Sequence, residues 1–147
     1  MRLGVLTEPD GENRVAIVPN SVKKLIKKGL EVFVESGAGV KSNYSDNEYM
    51  SAGANIVSRD IILSSDLIIS IRMPEVSELN SGLNLVCVAD PFRHPEKINS
   101  CINSNINLFS MDMIPRRLSR AQSMDVNSSQ DNLAGYKAVL LGASYVP

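Results

Sequence analysis

From its second residue the chain alternates short apolar runs with stretches whose apolar positions recur every three or four residues. RLGVLTE (2–8), LEVFVES (30–36), ANIV (54–57), DLIISIR (66–72), LNLVCVAD (83–90) and INLFSMD (106–112) are short and rich in branched residues, which reads as strands. The stretches between them read as helices. NSVKKLIKKG (20–29) places Val22, Leu25 and Ile26 on one face and four lysines on the other, with Gly29 as its stop signal. SDNEYMSAG (45–53) has Ser45 and Glu48 at capping-box spacing, and Gly53 closes it. Short helices are expected at SRDIILSS (58–65) and near PEKINSCINS (95–104). A last helix, from about Ser128 to Ser144, carries Leu133, Tyr136, Val139 and Leu140 on its apolar stripe.

Strands apolar on both faces, alternating with amphipathic helices, predict an α/β fold: a doubly wound, mostly parallel sheet covered by helices on both faces, of the Rossmann or flavodoxin kind. No strand follows the last helix, so that helix is expected to lead toward a further domain. The predicted organisation is an α/β lobe over residues 1–127 and the start of a connecting, interdomain helix over 128–147. No repeat, low-complexity segment or long linker interrupts the pattern.

Composition narrows the picture. The 147 residues suit one domain with a real core, and a formal net charge of −1 lacks the basic surplus of a nucleic-acid binder. No apolar run has the roughly 18–20 residues that span a bilayer. The opening MRLGVLTEPDGENR, with its short apolar run and early charges, does not read as a secretory signal. Cys87 and Cys101 lack CxxC spacing and a nearby histidine, so they are expected to be reduced, buried thiols of a cytosolic protein, and no metal site is expected.

Candidate chemistry is sparse until late in the chain. Gly37 and Gly39 in ESGAGV lack the third glycine and the following helix of a phosphate-binding fingerprint, so they predict only a tight turn. His94, the sole histidine, stands before a proline where a helix begins and reads as a helix-start residue. Asp90 and Pro91 lie at a strand's end, but one carboxylate without a partner says little. The stretch 115–129 differs. It can be a solvated loop with Asp125 paired to an arginine, or a ligand loop at the carboxyl edge of the sheet. In the second case Arg117 could grip an oxygen bidentately, and Gln122 could offer a donor and an acceptor to a carboxamide or a ribose. Asp125 could orient the arginine, and Ser128 could bond a ligand or cap the final helix. Chemistry alone leaves both readings open.

ENRVAIVP and VESGAG resemble the N-terminal signatures of the alanine dehydrogenase and NAD(P) transhydrogenase family. The closing SRAQSMD, SS and NLAGYKAV resemble its proton-translocating transhydrogenase branch, and the resemblance covers essentially the whole chain. It implies a lobe of an NAD(H)-binding domain, with a mobile loop that closes over the nicotinamide. By that resemblance Arg117, Gln122, Asp125 and Ser128 would contact NAD(H), with Gln122 and Asp125 placed at the reacting end. Counting on from Pro115 would select Arg116 instead, but the count back from Gln122 favours Arg117.

Two positions separate the branches. Where alanine dehydrogenases carry a substrate-binding lysine and a catalytic histidine, this chain has Arg72 and Asp90, and His94 lies four residues further on. Arg14 matches the substrate-binding arginine but occurs in both branches. The transhydrogenase branch is the better match. It implies hydride transfer between NADH and NADP coupled to proton movement. The implied partners are a second, Rossmann lobe beyond Pro147, a separate NADP-binding domain and a membrane proton-channel domain. The complete enzyme would be a dimer, with this part on the cytoplasmic side of the inner membrane. The alternatives are an amino-acid dehydrogenase fragment of the alanine dehydrogenase type and a non-catalytic interaction domain of the same fold.

Overall fold

The structure is a computed structural model and describes residues 1–145. The chain divides into two compact units, Met1–Ser110 and a second from Met111 onward. The first unit holds a six-stranded sheet built from β1 (Arg2–Val5), β2 (Glu31–Glu35), β3 (Asn55–Val57), β4 (Leu67–Arg72), β5 (Asn84–Val88) and β6 (Asn107–Ser110). Its order is β3-β2-β1-β4-β5-β6, and every pairing is parallel. The expectation of a doubly wound α/β sheet therefore holds, and the sheet is wholly rather than mostly parallel. The strands are shorter than their apolar runs. The sequence from Leu6 onward leaves β1, and Met111–Met113 form a turn of 3-10 helix after β6.

Helices α1 (Pro19–Ile26), α2 (Asp46–Ser51), α3 (Arg59–Leu63) and α4 (Pro95–Asn103) connect the strands. In α1, Val22 is fully buried while Lys23 and Lys24, with Lys27 and Lys28 just past its end, face solvent, as the spacing required. Burial of one such side chain contributes roughly 1.5–3 kcal/mol. The capping box on α2 forms in full: Glu48 N donates to Ser45 Oγ at 3.4 Å, and Ser45 N donates to Glu48 Oε2 at 2.7 Å. The alternation along the strands feeds two cores. Leu3, Val5, Val32 and Val34 pack with Val22 and Tyr49, whereas Ile68, Leu85 and Cys87 pack with Ile62 and Cys101. Tyr49 is wholly buried with its hydroxyl donating to Ile17 O at 2.8 Å, and burial pushes its phenol up to about 12. Cys87 and Cys101 are both free and buried, as expected.

Gly37 and Gly39 form the expected turn, for different reasons. Gly37 has φ +81°, in the left-handed region, whereas a Cβ at Gly39 would lie 2.5 Å from the Tyr49 ring. Among its described residues the second unit contains two single turns of 3-10 helix and one long helix, α5 (Val126–Tyr145). Helix α5 begins two residues before the expected start. Val146 and Pro147, also expected to continue it, lie outside the described residues. No helix among the described residues is long and apolar enough to cross a membrane.

Candidate functional site

Strands β1 and β4 are neighbours, but the connections leaving them run in opposite directions across the sheet. That reversal opens a crevice beyond their carboxyl ends, the usual ligand position in such folds. The first unit has a cleft of about 790 Å³ there, lined among others by Glu8, Glu12, Ser70, Arg72, Asp90 and His94.

Glu8 anchors the cleft. Strand β1 stops pairing with β4 at Val5, yet β4 continues and leaves amides beyond it. The buried Glu8 carboxylate takes them over, accepting from Ile71 N at 2.5 Å and Arg72 N at 2.9 Å. Desolvation outweighs those two bonds and raises the carboxyl above its ordinary range. Glu12 behaves oppositely. It accepts from Arg14 Nε at 2.7 Å and Nη2 at 2.6 Å, and from Arg72 Nε at 3.2 Å. These contacts, the Arg14 hydrogen bonds first, lower its pKa to about 2. At the rim Arg59 bridges Glu35 at 3.2 Å and Glu78 at 2.7 Å, and Glu35 also accepts from Thr7 N.

Asp90 is in the left-handed region at φ +46°, and its carbonyl accepts from the amides of Arg93 and His94. His94 stands at the start of α4, as expected, with Nδ1 3.3 Å from Glu96. Sequence reasoning missed Glu8 and Glu12. The signal available was an acidic pair four residues apart, in TEPDGE, following the first strand directly. Among the described residues no group of histidine, cysteine and carboxylate side chains could hold a metal ion.

The stretch 115–129 belongs to the second unit. Gln122 opens a single 3-10 turn, Gln122–Met124, and its side chain is exposed. Asp125 follows in extended conformation and caps α5: Oδ1 accepts from Ser128 N at 2.9 Å, and Oδ2 from Ser128 Oγ at 2.6 Å. Of the two roles open to Ser128, capping falls to Asp125, and Ser128 supplies the capped amide. The Ser128 hydroxyl, then its amide, holds the Asp125 carboxyl below the ordinary range. Arg116 Nε lies 3.8 Å from Asp125, and its Nη2 lies 3.6 Å from Asp131. Arg117 is exposed, and no ion pair engages it among the described residues. Asp125 and Ser128 are thus brought together, while the side chains of Gln122 and Arg117 stay open to solvent. On α5, Leu133, Tyr136, Val139 and Leu140 are all exposed.

Comparison with known proteins gives a consistent result. Residues 4–134 match the family described as alanine dehydrogenase/PNT, N-terminal domain. The chain is 36% identical over 147 residues to NAD(P) transhydrogenase subunit alpha of Haemophilus influenzae, covering 97% of this chain and 28% of that protein. Alanine dehydrogenase of Methanococcus maripaludis is 28% identical over 152 residues, covering 99% of this chain and 40% of that protein. Among solved structures, transhydrogenase from Sinorhizobium meliloti superposes with a TM-score of 0.92 at 40% identity, over 98% of this chain and 44% of that one. The chain thus spans less than half the length of each of these relatives.

Proposed function

The chain belongs to the alanine dehydrogenase/PNT N-terminal domain family, and from that premise we propose that it is the N-terminal lobe of the NAD(H)-binding alpha subunit of a proton-translocating NAD(P) transhydrogenase. The reaction class is hydride transfer from NADH to NADP⁺, which requires no side-chain acid or base at the reacting carbons. This lobe contributes the segment around Gln122, Asp125 and Ser128, which orients the nicotinamide end and excludes water from it.

The observation that carries this reading is the state of that segment. Asp125 and Ser128 are locked to each other at the start of α5, while Gln122 and Arg117 keep their hydrogen-bonding groups toward solvent. A nicotinamide carboxamide carries one donor group and one acceptor, which a glutamine side chain matches. Two further features support it. The cleft positions where amino-acid oxidation would need a lysine and a histidine hold Arg72, paired with Glu12, and the turn residue Asp90. Helix α5 has no buried residue, and its apolar side chains, Leu133, Tyr136, Val139, Leu140, Leu141 and Tyr145, are all exposed, as suits a helix that connects to a further lobe. The NADP-binding and membrane parts of the complex, its dimeric state and its place at the cytoplasmic face of the membrane belong to the same proposal.

The test is kinetic. In the assembled enzyme, Gln122→Asn and Asp125→Asn should slow single-turnover hydride transfer far more than they weaken NADH binding. Reacting carbons must approach to about 3–3.5 Å, and small displacements there lower the rate constant while affinity is kept. A tenfold loss of affinity with transfer at its normal rate would make the segment a binding clamp instead.

A further inference from the structure

Helix α1 carries Lys23 and Lys24, and Lys27 and Lys28 follow directly, all four exposed. At 3.6 residues per turn they cover roughly 140° of the helix surface. Val22, Leu25 and Ile26 occupy the other side, against the core. The first unit's remaining lysines have acids within reach, Lys41 at 3.1 Å from Asp10 and Lys97 at 3.9 Å from Glu75. Among the described residues the four lysines of α1 form no such pair. Nearby acids are engaged elsewhere. Glu31 faces Arg2 at 3.8 Å, Glu48 closes the capping box of α2, and Asp46 accepts from Gly37 N at 3.0 Å. Lys23 and Lys27, like Lys24 and Lys28, stand four apart, the spacing at which like charges on a helix repel. The carbonyl end of a helix carries only about half a negative charge, which does not balance four cations.

Topology places this charge. Helix α1 joins two parallel strands, so it ends at the amino edge of the sheet, where Glu31 N donates to Met1 O at 3.1 Å. The ends of α1 and α2 adjoin there, since a Cβ on Gly53 would meet Ile26 Cδ1 at 2.8 Å. Met1 and Met50, both exposed, belong to the same pole. The switch-point cleft lies at the opposite, carboxyl edge. We propose that the basic pole is a docking surface for an anionic lipid bilayer, with the four lysines on the headgroups and Met1 and Met50 at the apolar boundary. The lysines are flexible point charges on a convex helix and lack the rigid fork by which arginine fixes one partner's geometry, so they respond to charge density. A rigid acidic protein would have to match their spacing, whereas a fluid bilayer brings its headgroups to them. Four or more basic residues on an amphipathic helix are enough for such attraction. A chain of net charge −1 is poorly suited to nucleic acid. Docked in this way, the first unit would turn its cleft away from the lipid.

Flotation of the 147-residue chain with phosphatidylcholine vesicles containing about a third phosphatidylglycerol, against pure phosphatidylcholine, tests the proposal. Binding should be confined to the anionic vesicles, with roughly millimolar affinity for accessible lipid, and should fade as ionic strength rises. Lys24→Gln and Lys28→Gln should each weaken it roughly fivefold. Changing Lys23, Lys24, Lys27 and Lys28 together to Gln should abolish it. These side chains are exposed, so the variants retain the buried face of α1. Lys41→Gln combined with Lys97→Gln also removes positive charge, but away from this pole, and should leave binding unchanged. No binding to anionic vesicles at low salt, equal binding to neutral ones, or full binding by the four-lysine variant would overturn the proposal. Lysine-dependent binding of polyglutamate without binding of vesicles would also overturn it, and would assign the pole to an acidic protein. The inference does not rest on the nucleotide reading, and its failure would leave the kinetic test of Gln122 and Asp125 untouched.

Discussion

The cleft of the first unit and the 115–129 stretch of the second are both rich in charge, but they are wired differently. Glu8 reaches across 63 and 64 residues of sequence to Ile71 and Arg72, and Glu12 across 60 to Arg72. Asp125 reaches three residues, to Ser128. Long-range bonds form only when β1 and β4 lie side by side, so they form and break with the whole sheet. A cap forms with one turn of helix and can open alone. The difference suits the proposed division of labour, in which a stiff lobe carries a segment able to rearrange around a ligand.

The largest test of this contrast is Glu8→Ala. It strips two partly buried amides at the end of β4 of their acceptor, at roughly 1–3 kcal/mol for each unsatisfied group. Relief from burying a carboxylate offsets part of this. A net loss of about 2–3 kcal/mol is expected, read as a lower urea midpoint of the first unit with unchanged slope. A loss no greater than about 0.5 kcal/mol, typical of a surface change, would mean that water serves those amides equally well. Glu8 would then be no anchor. Asp125→Ala should act locally instead, through faster amide exchange in the first turn of α5.

Next in size is a pH effect, and the two glutamates of the cleft loop should act with opposite sign. Glu12 has its pKa depressed, from an ordinary 4.5 to about 2. Its stabilisation is complete above 4.5 and is lost as the pH falls from there through 2. Glu8 has its pKa raised. Its contribution is present below 4.5 and is lost as the pH rises through the raised value. Glu12→Gln should therefore flatten the acid limb of the stability curve between pH 4.5 and 2. Glu8→Gln should instead flatten the change that lies just above pH 4.5. Urea midpoints across the acid range measure both, and parallel acid limbs for Glu12→Gln and the unaltered chain would refute the Arg14–Glu12–Arg72 assignment.

The contrast also explains how much could be read from the sequence. The apolar and capping patterns predicted every strand and α-helix of the first unit, though not its 3-10 turns at Val40–Ser42 and Val76–Glu78, because burial on two faces of a parallel sheet leaves continuous apolar runs such as DLIISIR. Ser45 and Glu48 were legible because a capping box is a three-residue relation. At the start of α5 the sequence suggested only Ser128 as a cap, and the structure gives that role to Asp125. The Glu12 network was not legible. Nothing in DGENR reveals that Arg72 will arrive beside it, since strand order β1-β4 decides that and periodicity does not encode strand order. The resemblance added what local patterns could not, by favouring the ligand reading of the 115–129 segment that residue chemistry had left open.

The smallest expected effect separates the two arginines of PRRLSR. Arg116 is the one near Asp125 and Asp131, whereas spacing from Gln122 favours Arg117 as the residue that meets the nucleotide. These assignments are compatible if Arg116 has a resident partner and Arg117 awaits one. Arg116→Ala should then raise the Asp125 pKa slightly, because the nearby guanidinium is one of the lesser causes that lower it. Arg116 is exposed and lies 3.6–3.8 Å from its partners, too far for a tight ion pair, so the attraction is weak and the shift should shrink further as ionic strength rises. Arg117→Ala should leave that titration and the exchange of the α5 amides unchanged, yet slow hydride transfer in the assembled enzyme. Carbon-detected titration of Asp125 reads the first effect, and single-turnover kinetics reads the second. If Arg116→Ala slows transfer and Arg117→Ala does not, the roles are exchanged, and the Arg116–Asp125 pair becomes the ligand-gripping unit rather than its support.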